Sequence, residues 1–176
     1  MTKSFGEYQD GREYKTLNER AVRASAGMMM VLGIIAFVNG FVKNEFDIIP
    51  YISGFLMFNF IIGVFINPNY APTYFLAKII VKEQTPLPIG AIQKKFAWSL
   101  GLGLSLTIFG FSLFLVNDVS FFAPVCLLCI ICLALLFLET AFGICVGCMI
   151  YHFFIKINLI KQPKIKPNCM GDSCEV

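Results

Sequence analysis

Residues 120–156, SFFAPVCLLCIICLALLFLETAFGICVGCMIYHFFIK, form the stretch that decides the fold. Glu139 is the only acidic side chain in it, and Lys156 at its end is the only lysine or arginine. As one straight helix the stretch would be roughly 54 Å long at ~1.5 Å per residue, whereas the hydrocarbon core of a bilayer is ~30 Å thick. We therefore expect a membrane-spanning helix that either projects beyond the bilayer or kinks.

Three further apolar blocks precede this stretch, and each has the roughly 20 residues that a spanning helix needs. Apolar residues make up 57% of the chain and charged residues 14%, against about 25% charged in a soluble domain. This composition excludes a soluble globular protein and predicts an all-α bundle of four transmembrane helices. The expected organisation is an N-terminal arm (1–20), a membrane domain (21–156) with spans at 21–42, 48–67, 96–117 and 120–156, and a C-terminal tail (157–176).

Lysine and arginine positions predict the orientation, because loops on the cytoplasmic side carry an excess of these residues. With four spans, 13 of the 14 lie in the two ends, in the middle loop or at the ends of the spans that adjoin them, and only Lys43 lies on the opposite side. With a fifth span, 9 of the 14 lysine and arginine residues would lie on one side of the membrane and 5 on the other. We therefore expect a bacterial cytoplasmic (inner) membrane protein with both termini in the cytoplasm.

The loop between the second and third spans contains a short amphipathic pattern. Pro72 and Thr73 open it, and apolar side chains at helical spacing alternate with two lysines. The residues concerned are Phe75, Leu76, Ile79 and Ile80, with Lys78 between them and Lys82 after them. The pattern predicts a helix that lies on the inner membrane surface.

All seven cysteines lie after residue 125, and one pair among them has the spacing of a reactive dithiol. At ~100° per residue, Cys145 and Cys148 share a helix face, and His152, the only histidine, falls between them in angle. A nearby imidazolium lowers the pKa of a thiol, and Cys-x-x-Cys pairs favour exchange chemistry. The same three side chains could instead bind zinc or copper.

The other cysteines are open to more than one interpretation. Cys169 and Cys174, on the polar tail, could reach the pair as resolving thiols or additional ligands, or they could be incidental. Cys126, Cys129 and Cys132 are expected to act as small, soft apolar side chains within the fourth span.

Three polar side chains inside or near the ends of spans are expected to be functional or to join helices. Glu139 would either pin helices together or handle protons, and a straight helix would point it away from Cys148. Asn39 and Asn59 are expected to form interhelical hydrogen bonds. Small residues spaced four apart predict close helix packing or a homodimer contact; they are Ser99, Gly103 and Thr107 on the third span and Gly143 and Gly147 on the fourth.

Three motifs resemble a bacterial family of small four-helix membrane proteins known mainly as a domain of unknown function. They are Asn67-Pro68-Asn69-Tyr70-Ala71-Pro72, Phe96-Ala97-Trp98-Ser99-Leu100-Gly101 and Glu139-x-x-x-Gly143-x-Cys145-x-x-Cys148. The resemblance covers about residues 18–156. It implies an association with thioredoxin-like or sulfurtransferase proteins, which suits a thiol role, but it implies no established reaction.

Three functions remain open from the sequence. The first is thiol–disulfide exchange or sulfur transfer at Cys145 and Cys148, tuned by His152. The second is binding or transport of a soft metal ion, and the third is a non-catalytic membrane scaffold. The net charge of +3 is scattered between apolar blocks, which argues against a nucleic-acid partner, and no phosphate-binding loop or protease motif occurs.

Overall fold

The computed structural model describes residues 5–8 and 14–160, and these are mostly helical. The helices are α1 (Glu19–Phe41), α2 (Ile48–Ile61), α3 (Pro72–Ile80), α4 (Ala91–Leu115), α5 (Phe122–Phe137) and α6 (Val146–Lys156). The strands are β1 (Glu7–Tyr8), β2 (Lys15–Asn18) and β3 (Pro88–Gly90). One π-helical turn, Ile62–Ile66, extends α2, and another, Leu138–Phe142, extends α5.

Four helices are long and apolar enough to cross a membrane, as predicted. They cover Glu19–Phe41, Ile48–Ile66, Ala91–Leu115 and Val119–Phe142. Many of their large apolar side chains point outward, among them Ile34, Phe58, Leu106 and Ile130. Lipid is the solvent that such a surface requires, and the architecture is that of an integral membrane protein.

Two of the predicted boundaries need correction. The third span begins at Ala91 rather than at residue 96, so Lys94 and Lys95 belong to the helix and not to the loop. The fourth span ends at Phe142, and the apolar residues after it form the separate helix α6. Sequence hydropathy could not show this second boundary, because residues on both sides of the break are apolar.

A small antiparallel sheet, absent from the all-α prediction, ties the N-terminal segment to the loop before α4. Strand β2 is central, with Thr16 opposite both Glu7 and Gly90. Its last residue, Asn18, caps α1, since its side chain accepts from the Arg20 N–H at 3.1 Å. Strands of two to four residues are too short for a readable alternation, so this sheet left no periodic signal in the sequence.

Trp98, the single tryptophan, is the centre of the main core. It lies edge-on to Phe5, Phe60 and Tyr74, with ring centroids 5.6–6.3 Å apart. Edge-to-face contacts of this kind stabilise a core beyond the area they bury. Trp98 therefore joins the N-terminal segment, the second and third spans and α3 into one unit.

A buried polar network fixes α3 against the spans. The Asn59 carboxamide oxygen accepts from the backbone N–H and the hydroxyl of Thr73, both at 3.0 Å. The Thr73 hydroxyl also lies 2.8 Å from that of Ser25 on α1. Asn59 thus links helices as predicted. Asn39 does not, since its amide donates to the Ile35 carbonyl of its own helix at 2.7 Å.

The two series of small residues differ in their surroundings. A methyl group on Gly147 would come within 2.7 Å of the Ala97 Cα, so α4 and α6 are in close backbone contact there, as predicted. A methyl group on Gly103 would meet nothing within 4 Å. The expected packing within the protein is therefore wrong for Gly103, whose helix face, with Ser99 and Thr107, is exposed.

Candidate thiol site at the end of the fourth span

The site begins at the break between the fourth span and α6. The N–H groups of Gly143 and Ile144 both donate to the carbonyl of Leu138, the latter at 3.1 Å. Gly143 has a φ of 69°, in the left-handed region that favours glycine. The chain therefore leaves the helix at Gly143 and starts a new one at Val146.

Arg23 on α1 satisfies the carbonyls that the break leaves without helical partners. Its guanidinium donates to Thr140 O at 3.0 and 3.2 Å and to Ala141 O at 3.0 Å. Glu19, one turn earlier, lies 3.8 Å from the same guanidinium. Because the last carbonyls of a helix lack intrahelical donors, this contact stabilises the end of the span and holds it against α1.

Cys145 is the N-terminal cap of α6. Its Sγ accepts a hydrogen bond from the backbone N–H of Cys148 at 3.3 Å. Both cysteines are buried, with 2% and 4% of their surface exposed. The Cys-x-x-Cys pair therefore lies at the start of a helix. The N–H groups without intrahelical acceptors and the helix dipole favour negative charge on sulfur there.

A buried ion pair lies beside the thiols. Lys94, in the first turn of α4, donates to the Glu139 carboxylate at 2.6 Å. The Lys94 side chain is 1% exposed and that of Glu139 18%. A buried charge is tolerated only when it is paired and hydrogen-bonded, and this ion pair supplies both conditions for Lys94.

This arrangement separates the acidities of the two thiols. The hydrogen bond from the Cys148 thiol lowers the pKa of Cys145 to about 7, and burial opposes this while the Lys94 charge adds to it. The same hydrogen bond, followed by burial, raises the pKa of Cys148 well above its ordinary value. The directions of the two shifts favour Cys145 over Cys148 as the thiolate of the pair.

The break changes the predicted relation between Glu139 and the cysteines. On a straight helix Glu139 points away from Cys148, but no straight helix joins them. Instead Glu139 and both cysteines share Lys94 as an electrostatic neighbour. His152, predicted to tune the thiols, lies on α6 with its Nε2 atom 3.1 Å from the Gln93 side-chain nitrogen.

The metal hypothesis receives no support from the described residues. Among them, no group of three or more His, Cys, Asp and Glu side chains is placed to hold a metal ion. Cys169 and Cys174, the proposed additional ligands, lie outside the described residues. The remaining cysteines, Cys126, Cys129 and Cys132, are free thiols within the fourth span.

Sequence reasoning missed Lys94 and Arg23 as members of the site. Both residues were used only to predict the orientation of the spans in the membrane, since a basic residue at the end of a span normally faces water. One signal was available for Lys94, because it lies four residues before Trp98 and so on the face of α4 that turns inward. Nothing local in the sequence indicates that Arg23 reaches Thr140.

The fold and the site together define a four-span integral membrane protein with a buried dithiol beside an ion pair. The chain belongs to the family described as "Domain of unknown function (DUF4395)", whose model matches residues 17–156. The resemblance noted from the motifs is thereby confirmed. No curated protein and no solved structure is significantly similar to it.

Proposed function

We propose that the protein performs thiol–disulfide exchange or sulfur transfer at Cys145 and Cys148, with Cys145 as the attacking thiol. The observation that carries this proposal is the position of the Cys145 sulfur at the start of α6, where it accepts a hydrogen bond from the Cys148 N–H at 3.3 Å. The charge of the buried Lys94 acts on the same sulfur. Nucleophilic attack requires the thiolate form, and cationic neighbours and helix N-termini favour that form.

The chemistry proceeds in two displacements. The Cys145 thiolate attacks one sulfur of a disulfide, the S–S bond of the substrate breaks, and a thiolate leaves with the electron pair. Cys148, once deprotonated, then attacks the Cys145 sulfur and expels the second thiolate, so the dithiol becomes a disulfide and the substrate is reduced. In sulfur transfer the first attack takes the outer sulfur of a persulfide and leaves a persulfide on Cys145.

Access to the buried pair limits the substrate. With Cys145 2% exposed, the pair reacts first with small disulfides and persulfides, and a protein substrate requires the first turn of α6 to move. The partner we propose is a thioredoxin-like or sulfurtransferase protein. In Cys148→Ser the mixed disulfide between Cys145 and the partner is not resolved, so this variant should trap the partner covalently.

The test of this proposal is the alkylation rate of Cys145 as a function of pH, followed by intact mass. We expect the rate to rise with pH with its midpoint at about 7, because the thiolate fraction follows the lowered pKa. For an ordinary cysteine the midpoint would be at about 8.5. Cys145→Ser should remove the reactive adduct, and Cys126→Ser is the matched control that should keep it.

Two results would contradict the thiol proposal. One is a Cys145 that reacts no faster at neutral pH than the control cysteines. The other is zinc or copper bound near one equivalent in the purified protein and lost in Cys145→Ser, which would favour the metal function.

We further propose that both termini, α3 and the thiol site lie on the cytoplasmic side of a bacterial inner membrane. Four spans require the two termini to share a side, and 13 of 14 basic residues support the cytoplasm. On α3, Thr73, Tyr74 and Ala77 pack inward, whereas Phe75, Leu76, Ile79 and Ile80 are exposed. This outward apolar face suits a helix lying in the membrane interface.

Cysteine labelling in sealed, right-side-out vesicles tests the orientation. In a background without reactive native cysteines, Lys43→Cys should react with an impermeant maleimide, because Lys43 is expected outside. Lys82→Cys, after α3, should react only once the vesicles are permeabilised. The reverse pattern would invert the topology and place the thiol site on the oxidising side.

A further inference from the structure

The second displacement leaves a problem that the dithiol alone does not solve. Before Cys148 can attack, it must lose its proton, and in the reduced site that proton is shared with the Cys145 thiolate. Once Cys145 has become a mixed disulfide, its sulfur is no longer an effective acceptor. Both sulfurs are buried, so bulk water is not in direct contact to receive the proton.

A carboxylate is held close to this position. The Glu139 oxygen bonds Lys94 Nζ at 2.6 Å, and both members of this pair interact electrostatically with Cys145 and Cys148. Gly147, next to Cys148, packs directly on Ala97, which lies three residues after Lys94 on α4. The first turn of α6 and the ion pair therefore occupy the same face of α4.

We propose that the Lys94–Glu139 pair accepts the proton of Cys148 during the second displacement, with the Glu139 carboxylate as its destination. This inference rests on the proposed thiol function. Glu139 suits the role because its side chain is 18% exposed, whereas Lys94 is 1% exposed. Glu139 also lies three residues before the end of the fourth span. We therefore place the exposed edge of its carboxylate at the membrane boundary, where it can pass the proton on to water while Lys94 keeps its position.

The charges balance at every stage. In the reduced site Lys94 faces two anions, the Cys145 thiolate and the Glu139 carboxylate. Formation of the mixed disulfide removes the Cys145 thiolate. Transfer of the Cys148 proton then neutralises the Glu139 carboxylate and leaves the Cys148 thiolate as the anion that faces Lys94. When that thiolate forms the disulfide, Glu139 releases its proton and again pairs with Lys94. The buried ammonium thus faces the Cys148 thiolate until the disulfide closes and the Glu139 carboxylate once the proton has left, as a buried cation requires.

Several other charged or titratable groups surround Glu139 and bear on its protonation. Arg23 bonds the carbonyls of the two residues that follow Glu139, and Glu19 pairs with Arg23. His152 lies on α6 and meets Gln93, the neighbour of Lys94 in sequence. The pH dependence must therefore be compared between variants rather than assigned from one profile.

The experiment uses the full chain in detergent with only Cys145 and Cys148 retained, mixed with 4,4′-dithiodipyridine in a stopped-flow instrument. Each displacement releases one coloured thiopyridone, so the first phase reports attack by Cys145 and the second reports attack by Cys148. Glu139→Gln should change the rate of the first phase by less than about threefold relative to the parent protein. It should slow the second phase by about 100-fold or more, the usual contribution of a positioned base. Phe142→Leu, an exposed neighbour of the site, should change neither phase.

The pH profile separates a proton acceptor from a purely structural residue. In Glu139→Gln the rate of the second phase should rise about tenfold per pH unit, because hydroxide must then remove the proton. With Glu139 present, the rate of the second phase should increase much less steeply with pH. If Glu139→Gln folds poorly, Glu139→Gln with Lys94→Met removes both charges, and its second phase should show the same steep profile.

The outcomes distinguish this inference from the function on which it rests. A second phase of unchanged rate and pH profile in both variants would overturn the role of Glu139 while leaving the dithiol function intact. If the parent protein, in which Cys145 and Cys148 are retained, yields no thiopyridone, both the role of Glu139 and the dithiol function are overturned.

Discussion

Replacing Glu139 by glutamine is expected to lower the free energy of unfolding by about 3–5 kcal/mol, the usual cost of removing one partner of a buried ion pair. The reason is that the Lys94 side chain is 1% exposed and loses the carboxylate that pairs with it. Lys94→Met should cost less, since the Glu139 side chain is 18% exposed and can turn away from the space that Lys94 leaves. The order of the two single variants is therefore part of the prediction.

The double variant provides the control. Glu139→Gln combined with Lys94→Met removes both charges, and such replacements are often neutral compared with breaking the pair. Its stability should recover to well above that of Glu139→Gln alone. Trp98 supplies the measurement, because the only tryptophan of the chain is buried in the core and its emission reports unfolding. Additive effects of the two substitutions would contradict a direct ion pair.

Gly147→Ala is the second substitution with a large expected effect. Its methyl group would lie 2.6 Å from the Ala97 Cβ and 2.7 Å from the Ala97 Cα, so α6 must move away from α4. Overpacking of this kind costs about 1–3 kcal/mol. The displacement also moves the thiols away from Lys94, whose charge adds to the Cys148 hydrogen bond in lowering the pKa of Cys145. The alkylation rate of Cys145 at neutral pH should therefore fall by about threefold or more.

Gly103→Ala is the matched control for this substitution. Gly103 lies on α4, like Ala97, but a methyl group there would meet nothing within 4 Å. Alanine is also the better helix former, so the variant should be as stable as the parent and should keep its thiol reactivity. Equal loss of reactivity in both glycine variants would show that the α4–α6 contact does not set the acidity of Cys145.

The four spans were predictable because each depends on a long local run of apolar residues. The predicted second span, 48–67, ends one residue beyond the observed helix, and the first differs by two residues at its start. The Cys-x-x-Cys pair was also visible locally, as was the likeness of residues 18–156 to a family. All these features are properties of neighbouring residues along the chain.

The errors came from contacts between residues far apart in sequence. Lys94 was assigned to a loop, yet it lies 45 positions from Glu139 and is buried against it. Arg23 bonds carbonyls 117 and 118 positions away. A lysine or arginine near the end of a span has the same appearance in sequence whether it faces water or a carboxylate.

The sequence by itself determined that this chain is a four-span membrane protein with a dithiol after its last span, because hydrophobic length and residue spacing are local quantities. The tertiary structure decided which charges surround that dithiol. The break at Gly143 turns the cysteines onto α4, and only then do Lys94 and Glu139 become neighbours of Cys145. The acidity of a thiol depends on charges and burial in three dimensions, and spacing along the chain specifies neither.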